Sequence, residues 1–247
     1  MPAIIQKLQV VHDSIHAAAL AVSRPTDSVT LLAVSKTFGA DAVLEAVAAG
    51  QRAFGENYLQ EALEKMVAVN AALQATVDAT NKPQAHAPVP ALEWHFIGPI
   101  QSNKTRLIAE NFSWVHTIER EKIAQRLSDQ RPPELPPLQV CLQVNISGEA
   151  RKSGVTVEQA LDVARAIAAL PRLKLRGLMA IPEPTDDVEN QRAAFAQVRT
   201  LFEQLNDEGL GLDTLSMGMS SDMTAAITEG ATIVRVGSAI FGSRIYT

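Results

Sequence analysis

Cysteine is nearly absent from this chain. Cys141 is the one thiol among 247 residues, so no internal disulfide can staple the fold and the core must be built by apolar packing. Aromatic residues are also scarce, at 4%, which leaves that core to aliphatic side chains and alanine. Positive charge is not in surplus: 22 Lys and Arg stand against 27 Asp and Glu, for a net charge of -5. That balance removes the electrostatic case for nucleic acid or an anionic membrane as partner. No apolar run approaches the roughly 20 residues needed to cross a bilayer, and Lys7, His12 and Asp13 break up the start of the chain. A cytoplasmic protein is expected. A Gly-rich GxGxxG turn after the first strand is missing too, which argues against an open dinucleotide-binding sheet. His12 and His16 share a helix face at i, i+4 but lack a third ligand, so no metal site is expected.

What is present is alternation. Ile4 to Val22 reads as a helix, with Ile4, Leu8, Val11, Ile15 and Leu20 near one face. Eight short β-type runs follow: Val29–Val34, Arg52–Gly55, Leu92–Ile97, Trp114–Ile118, Leu138–Val144, Leu173–Met179, Thr214–Met217 and Thr232–Val236. Between them lie helical patterns at Ala40–Ala49, Leu59–Leu73, Lys104–Glu110, Arg120–Leu127, Val157–Leu170, Val188–Asn206 and Ser221–Glu229. Strands alternating with helices imply right-handed βαβ units and a parallel sheet. Eight units in 247 residues suit an α/β fold of one (β/α)8 TIM barrel with an extra N-terminal helix. The chain is read as a single domain, 1–247. Asn70–Pro90 is a loop insertion in its latter half, between a helix and a strand and therefore away from the active-site face. The Pro-rich Arg131–Pro137 occupies an equivalent helix-to-strand position. Cys141, inside the apolar run Leu138–Leu142, reads as a buried structural thiol.

Barrel chemistry gathers at the C-terminal ends of strands, and the residues there are unusual. Loops after strands 7 and 8 commonly bind phosphate with backbone N–H groups, glycines and hydroxyls. Gly218, Ser220 and Ser221 on one loop, with Gly237 and Ser238 on the next, supply that set; either loop alone would read as an ordinary turn. Lys36 closes the first strand, where its amine could form an imine with a phosphorylated aldehyde. Arg235 interrupts the apolar eighth strand, where an unpaired guanidinium is very costly. It needs an acceptor, and a pyridine nitrogen would serve. Glu56 is either a pocket acid or the partner of a barrel lysine. His95 is a pocket residue or a hydrogen-bonded core histidine. Asn57 and Met179, at strand ends, read as pocket walls, and Trp114 and His116 alternate with Val115 as residues of one strand facing two ways.

These segments carry a resemblance. Ala-Val-Ser-Lys-Thr, Phe-Gly-Glu-Asn-Tyr, Trp-His-Phe-Ile-Gly-Pro-Ile-Gln-Ser-Asn-Lys, Gly-Leu-Met-Ala-Ile, Leu-Ser-Met-Gly-Met-Ser-Ser-Asp-Met and Val-Arg-Val-Gly-Ser-Ala-Ile-Phe-Gly are similar to the pyridoxal phosphate homeostasis protein family, from Lys36 to Gly242. That family shares its barrel with the N-terminal domain of alanine racemases. The resemblance implies pyridoxal 5'-phosphate (PLP) as cofactor, Lys36 as its Schiff-base partner, Arg235 at the pyridine nitrogen, and a phosphate cup of Ser220, Gly237 and Ser238. Asn57 and Met179 complete the cofactor-binding set.

Three functions compete at this point. The first is a PLP carrier that buffers the cofactor or delivers it to PLP-dependent apo-enzymes as transient acceptors, without a dedicated reaction. The second is an amino-acid racemase of low activity. A guanidinium can only donate, so it leaves the pyridine nitrogen unprotonated and the ring a weak electron sink. The racemases that resemble this chain also take a second base from a further domain, which the short tail after Arg235 does not offer; Tyr246 in that tail is not placed across a substrate. The third is a Schiff-base aldolase acting on a phosphosugar, and the combined motifs speak against it.

Overall fold

In the computed structural model, which describes residues 3–79, 91–147 and 153–242, the eight apolar runs become the staves of a closed parallel barrel. They are β1 (Thr30–Val34), β2 (Ala53–Glu56), β3 (Glu93–Phe96), β4 (Trp114–Ile118), β5 (Leu138–Gln143), β6 (Leu173–Met179), β7 (Thr214–Ser216) and β8 (Ile233–Val236). Each strand pairs in parallel with the next, and β1 also pairs with β8, Leu32 opposite Arg235, which closes the sheet. The TIM barrel expectation holds, and the open doubly wound alternative does not.

The helices surround the staves: α1 (Ile4–Ala21), α2 (Ala40–Ala48), α3 (Leu59–Ala79), α4 (Thr105–Asn111), α5 (Glu121–Gln130), α6 (Val157–Ala168), α7 (Val188–Asp207), α8 (Met223–Thr228) and α9 (Ser238–Phe241). The extra helix α1 packs against α8, α9 and α2, filling the seam of the ring beside the β1–β8 pair. Its buried face is Leu8, Val11, Ile15, Ala18 and Ala19, while Leu20 is exposed. The sequence reading placed Leu20 on that face, and the helical period explains the error. Ala18 and Ala19 stand three and four residues beyond Ile15 and stay on its stripe, whereas Leu20 stands five beyond and turns away. Helix α3 also runs past Leu73 to Ala79, so the first half of Asn70–Pro90 is helix. Residues 80–90, to which the loop reading was attached, lie outside the described residues.

Strand alternation divides the core in two. The larger part fills the layer between strands and helices, with Phe54, Val115, Leu138 and Leu142 facing outward into it. The smaller part lies within the barrel and consists of Leu32, Ala53, Trp114, Cys141, Met179 and Ile233, with Ile97 against them. Cys141 is buried and unpaired, as expected of a structural thiol, and burial pushes it up to about 12. Trp114 faces in and Val115 out, the alternation expected of an ordinary strand.

Two buried polar anchors hold this frame. Arg131 opens the Pro-rich segment and turns inward. Its guanidinium gives hydrogen bonds to the carbonyls of Ala109 (2.6 Å), Phe112 (2.8 Å) and Pro136 (2.9 Å), tying the end of α4 to the chain entering β5. Lys65, on α3, is the second. Its Nζ gives hydrogen bonds to Glu56 Oε1 at 2.6 Å, the Ser35 carbonyl at 2.8 Å and Glu61 Oε1 at 3.0 Å. Glu56 is therefore the partner of a barrel lysine, one of the two roles the sequence left open. Burial raises its carboxyl above the ordinary carboxylate range, and Lys65 and the Ser35 hydroxyl pull it back only in part.

Lys65→Met leaves the Glu56 carboxylate buried without its cation and is expected to cost about 3–5 kcal/mol by urea unfolding. The double variant Lys65→Met, Glu56→Gln should lose less, because no charge is stranded. The single variant should also respond to acid. Removing the cation raises the folded-state pKa of Glu56 further, so its stability improves as pH falls and is lost as pH rises through that value.

Candidate functional site

The C-terminal ends of the strands open onto a cleft of about 420 Å³. Lys36, Asn57, Met179, Ser220, Arg235, Gly237 and Ser238 all stand in its wall, so the residues selected from the sequence, though spread over β1, β2, β6, β7 and β8, converge on one space. Sequence reasoning passed over Phe38, Ile181 and Met219, which also line it. Phe38 had a signal in lying two residues from Lys36 in the same turn. Ile181 is an exposed apolar residue just past β6, a feature the sequence does not reveal.

Lys36 leaves the end of β1 into a tightly held turn. Ser35 before it is buried, and its hydroxyl donates to Glu56 Oε1 at 2.7 Å. Thr37 after it has φ +69°, unusual for a β-branched residue. Its N–H donates to Glu61 Oε1 at 2.7 Å, and Lys65 joins both carboxylates. The residues flanking Lys36 are thus fixed by one ion cluster behind the strand. The price of that cluster is a buried charge pair, and what it secures is the direction of the turn that carries the lysine.

Asn57 is placed by a close approach. A Cβ at Gly98 would stand 2.2 Å from the Asn57 carbonyl oxygen, so only glycine lets the loop after β3 lie against this residue. Asn57 Oδ1 is buried without a hydrogen-bond partner, an orphaned acceptor on a residue of the cleft wall. Across the cleft, Gly218 has φ +95°, and a Cβ there would meet that of Ala226 at 2.5 Å. It bends the chain after β7 so that Ser220 and Ser221 face the loop after β8. The hydroxyl of Ser238 gives a long hydrogen bond to that of Ser220, at 3.4 Å. Ser238 also starts α9, and the first N–H groups of a helix have no acceptor within it.

Arg235 projects into the barrel. Its Nη1 donates to the carbonyl and hydroxyl oxygens of Ser216, at 2.6 and 2.9 Å, and its Nη2 to the Ala180 carbonyl at 3.0 Å. The acceptor that so buried a guanidinium needs is therefore supplied by the protein itself, and burial alone does not call for a pyridine nitrogen. Burial lowers Arg235 to about 10, which leaves it cationic at neutral pH. His95 is a core histidine: its Nδ1 is 2.9 Å from His116 Nε2, and its ring stacks on Trp114. It is absent from the cleft wall. His12 and His16 stand side by side on α1, and no group of three metal-ligating side chains occurs among the described residues. None of the described helices is long and apolar enough to cross a membrane.

Comparison with known proteins fits this geometry. Residues 12–245 match the family model for the alanine racemase N-terminal domain. The chain is 57% identical to the pyridoxal phosphate homeostasis protein of Pseudomonas aeruginosa, over all of this chain and 98% of that protein. It is 53% identical to the protein of that name from Vibrio cholerae, over all of this chain and 99% of that protein. Among solved structures, PipY of Synechococcus elongatus with PLP bound superposes with a TM-score of 0.75 at 35% identity, covering 97% of this chain and all of that one. By sequence over its whole length and by the architecture of its barrel, the chain belongs to the pyridoxal phosphate homeostasis protein family, on the fold of the alanine racemase N-terminal domain.

Proposed function

We propose that this protein binds PLP in the cleft at the C-terminal mouth of the barrel and serves cofactor homeostasis, holding PLP on Lys36 for buffering or delivery. The observation that carries the reading is the meeting in one cleft of an amine, a buried donor-only guanidinium and two serine- and glycine-bearing loops. The names of the relatives and the PLP-bound state of PipY support it. Bound PLP supplies an aldehyde that an amine captures, together with a phosphate and a pyridine nitrogen. The residues present suit each part. Lys36 offers the amine from a turn fixed on both sides. Ser220, Gly237 and Ser238 offer hydroxyl and backbone donors for an anion. Arg235, in the same wall, would donate to a ring nitrogen, and Asn57 brings the orphaned acceptor that a polar ligand would satisfy. Met179 supplies an apolar wall.

The same cleft favours a carrier over a committed enzyme. Among the described residues lining it, Lys36 and Arg235 alone have side chains that ionise near or above neutral pH. Among those described lining residues there is no carboxylate, histidine or tyrosine to act as a second base, and a positioned base contributes roughly 10²–10⁴-fold to a proton transfer. We place the protein in the cytoplasm as one domain spanning 1–247, with PLP-dependent apo-enzymes as transient acceptors.

Borohydride reduction of the PLP-loaded protein followed by peptide mapping should find the pyridoxyl group on Lys36. An adduct on another lysine, or a Lys36→Ala protein that keeps the absorption of the loaded form, would remove Lys36 from the role. The paired change Ser220→Ala, Ser238→Ala should weaken PLP binding by roughly 10- to 100-fold, from loss of hydrogen bonds to a charged group, and leave pyridoxal binding unchanged. Equal losses for both ligands would put the phosphate elsewhere. Incubated with each common L-amino acid in deuterated water, the loaded protein should show α-proton exchange far below about 1 s⁻¹, the low end for ordinary enzymes. Exchange at or above that rate would favour the racemase class instead.

A further inference from the structure

Below the cleft, the inside of the barrel contains a line of polar groups that the binding of a cofactor does not by itself require. Ser216 Oγ, which accepts from Arg235, lies 2.8 Å from His116 Nδ1; His116 Nε2 lies 2.9 Å from His95 Nδ1. Ser216, His116 and His95 are essentially without solvent exposure. The line then reaches the opposite mouth, where His95 Nε2 faces Glu93 Oε2 at 3.6 Å, too long for a hydrogen bond. His95 Nε2 is buried and has no hydrogen-bond partner. Glu93 stands in the wall of a second cavity, of about 490 Å³, together with Trp114 and Arg176.

The direction of every proton in this line follows from its two ends. A guanidinium can only donate, so Ser216 Oγ is an acceptor toward Arg235. Burial holds both histidines below their ordinary pKa, so each is neutral and carries one N–H. If Ser216 gives its hydrogen to His116 Nδ1, the His116 proton sits on Nε2 and goes to His95 Nδ1. The His95 proton then sits on Nε2 and points at the Glu93 carboxylate. In the reverse arrangement Ser216 Oγ receives both Arg235 and His116, and a lone pair on His95 faces an anion. A cation at one end and a carboxylate at the other thus favour one order, Arg235 to Ser216 to His116 to His95 to Glu93. Other charges bear on the ends: Arg176 on Glu93, and Asp222 on Arg235.

We infer that Ser216, His116 and His95 are positioning residues, a one-directional hydrogen-bonded relay that orients the Arg235 guanidinium and carries to it the charge state of Glu93 at the far mouth of the barrel. The relay is a property of this chain's own side chains. Its effect on a bound ligand rests on the reading that Arg235 meets the ring nitrogen of PLP.

The test is nitrogen-15 NMR of histidine- and arginine-labelled protein, without PLP. From about pH 6 to 8 both rings should be neutral, with the proton on Nε2 and Nδ1 bare. A proton on Nδ1 of either ring, or a cationic ring, overturns the direction. Glu93→Leu, at a half-exposed position where the fold should tolerate it, is expected to give mixed tautomers at His95 and to shift the guanidinium resonances of Arg235. Arg235 resonances that stay in place overturn the relay. With PLP, Glu93→Leu should change the Kd by roughly two- to tenfold, the scale of one hydrogen bond, and this change should vanish in a Ser216→Ala background. The same change in both backgrounds also overturns the relay. A wild-type protein that fails to bind PLP would refute the proposed function alone, and the resonances of the ligand-free protein would still decide the relay.

Discussion

A guanidinium inside a barrel of aliphatic residues is the constraint around which this molecule is arranged. Leaving such a charge without acceptors costs several kcal/mol, and β8 places Arg235 where the apolar neighbours Ile233 and Val234 offer none. The acceptors come from β7 and from the end of β6, through Ser216 and Ala180. Their positions depend on the barrel register that seats Ser216 opposite Ile233. Once those strands are in place the arginine is stiff, and a stiff donor at the floor of a cleft is what distinguishes this site from an apolar pocket of the same volume. Ser216 must then dispose of its own hydrogen, which brings in His116, and His116 brings in His95. One buried charge accounts for the polar lining of half the barrel.

The outer side of the cleft is held by the same type of physics with different residues. Lys65, Glu56 and Glu61 form a cluster behind β1 and β2, and their remaining hydrogen bonds are spent on Ser35 and Thr37, the neighbours of Lys36. Buried ion pairs are weak evidence for stability, since well-packed apolar side chains often serve as well. Their value here is geometric: a hydrophobic substitute could fill the volume but could not accept the Thr37 N–H and so could not hold that residue at a positive φ.

The sequence disclosed the fold through its periods. Eight runs of the right length with helical patterns between them lead to a closed barrel because parallel strands require crossovers. The errors came where a period was read too loosely, as at Leu20, or where a segment has little of one, as in the alanine-rich continuation of α3. The cleft was legible because its residues cluster at strand ends, a position that can be found by counting. The polar chain within the barrel was not read, although a trace of it was present: His95, His116, Ser216 and Arg235 all fall on inward positions of their strands. A polar residue on an inward position says that a partner exists without saying which one, and the partners here are separated by up to 100 residues in sequence. Only the register of the closed sheet brings them together. The inward turn of Arg131 was unreadable for the same reason, its acceptors being carbonyls of an earlier helix and of its own loop.

Under the proposed carrier function, a protein that holds a reactive aldehyde without consuming it must meet two demands that conflict. The cleft has to bind the phosphate and ring well enough to retain the molecule, which calls for fixed donors, and it has to lack the groups that would drive turnover once an amino acid arrives. On the proposed reading a rigid arginine would serve both. It is a permanent donor that cannot give up its proton at neutral pH, so at the ring nitrogen it would contribute affinity while withholding the protonated ring that carbanion chemistry exploits. The two histidines that could act as bases lie beneath it, neutral and committed to one another, absent from the cleft wall. Their seclusion follows from the burial of Arg235: the acceptor chain that satisfies the cation also draws the site's potential bases out of reach of a substrate.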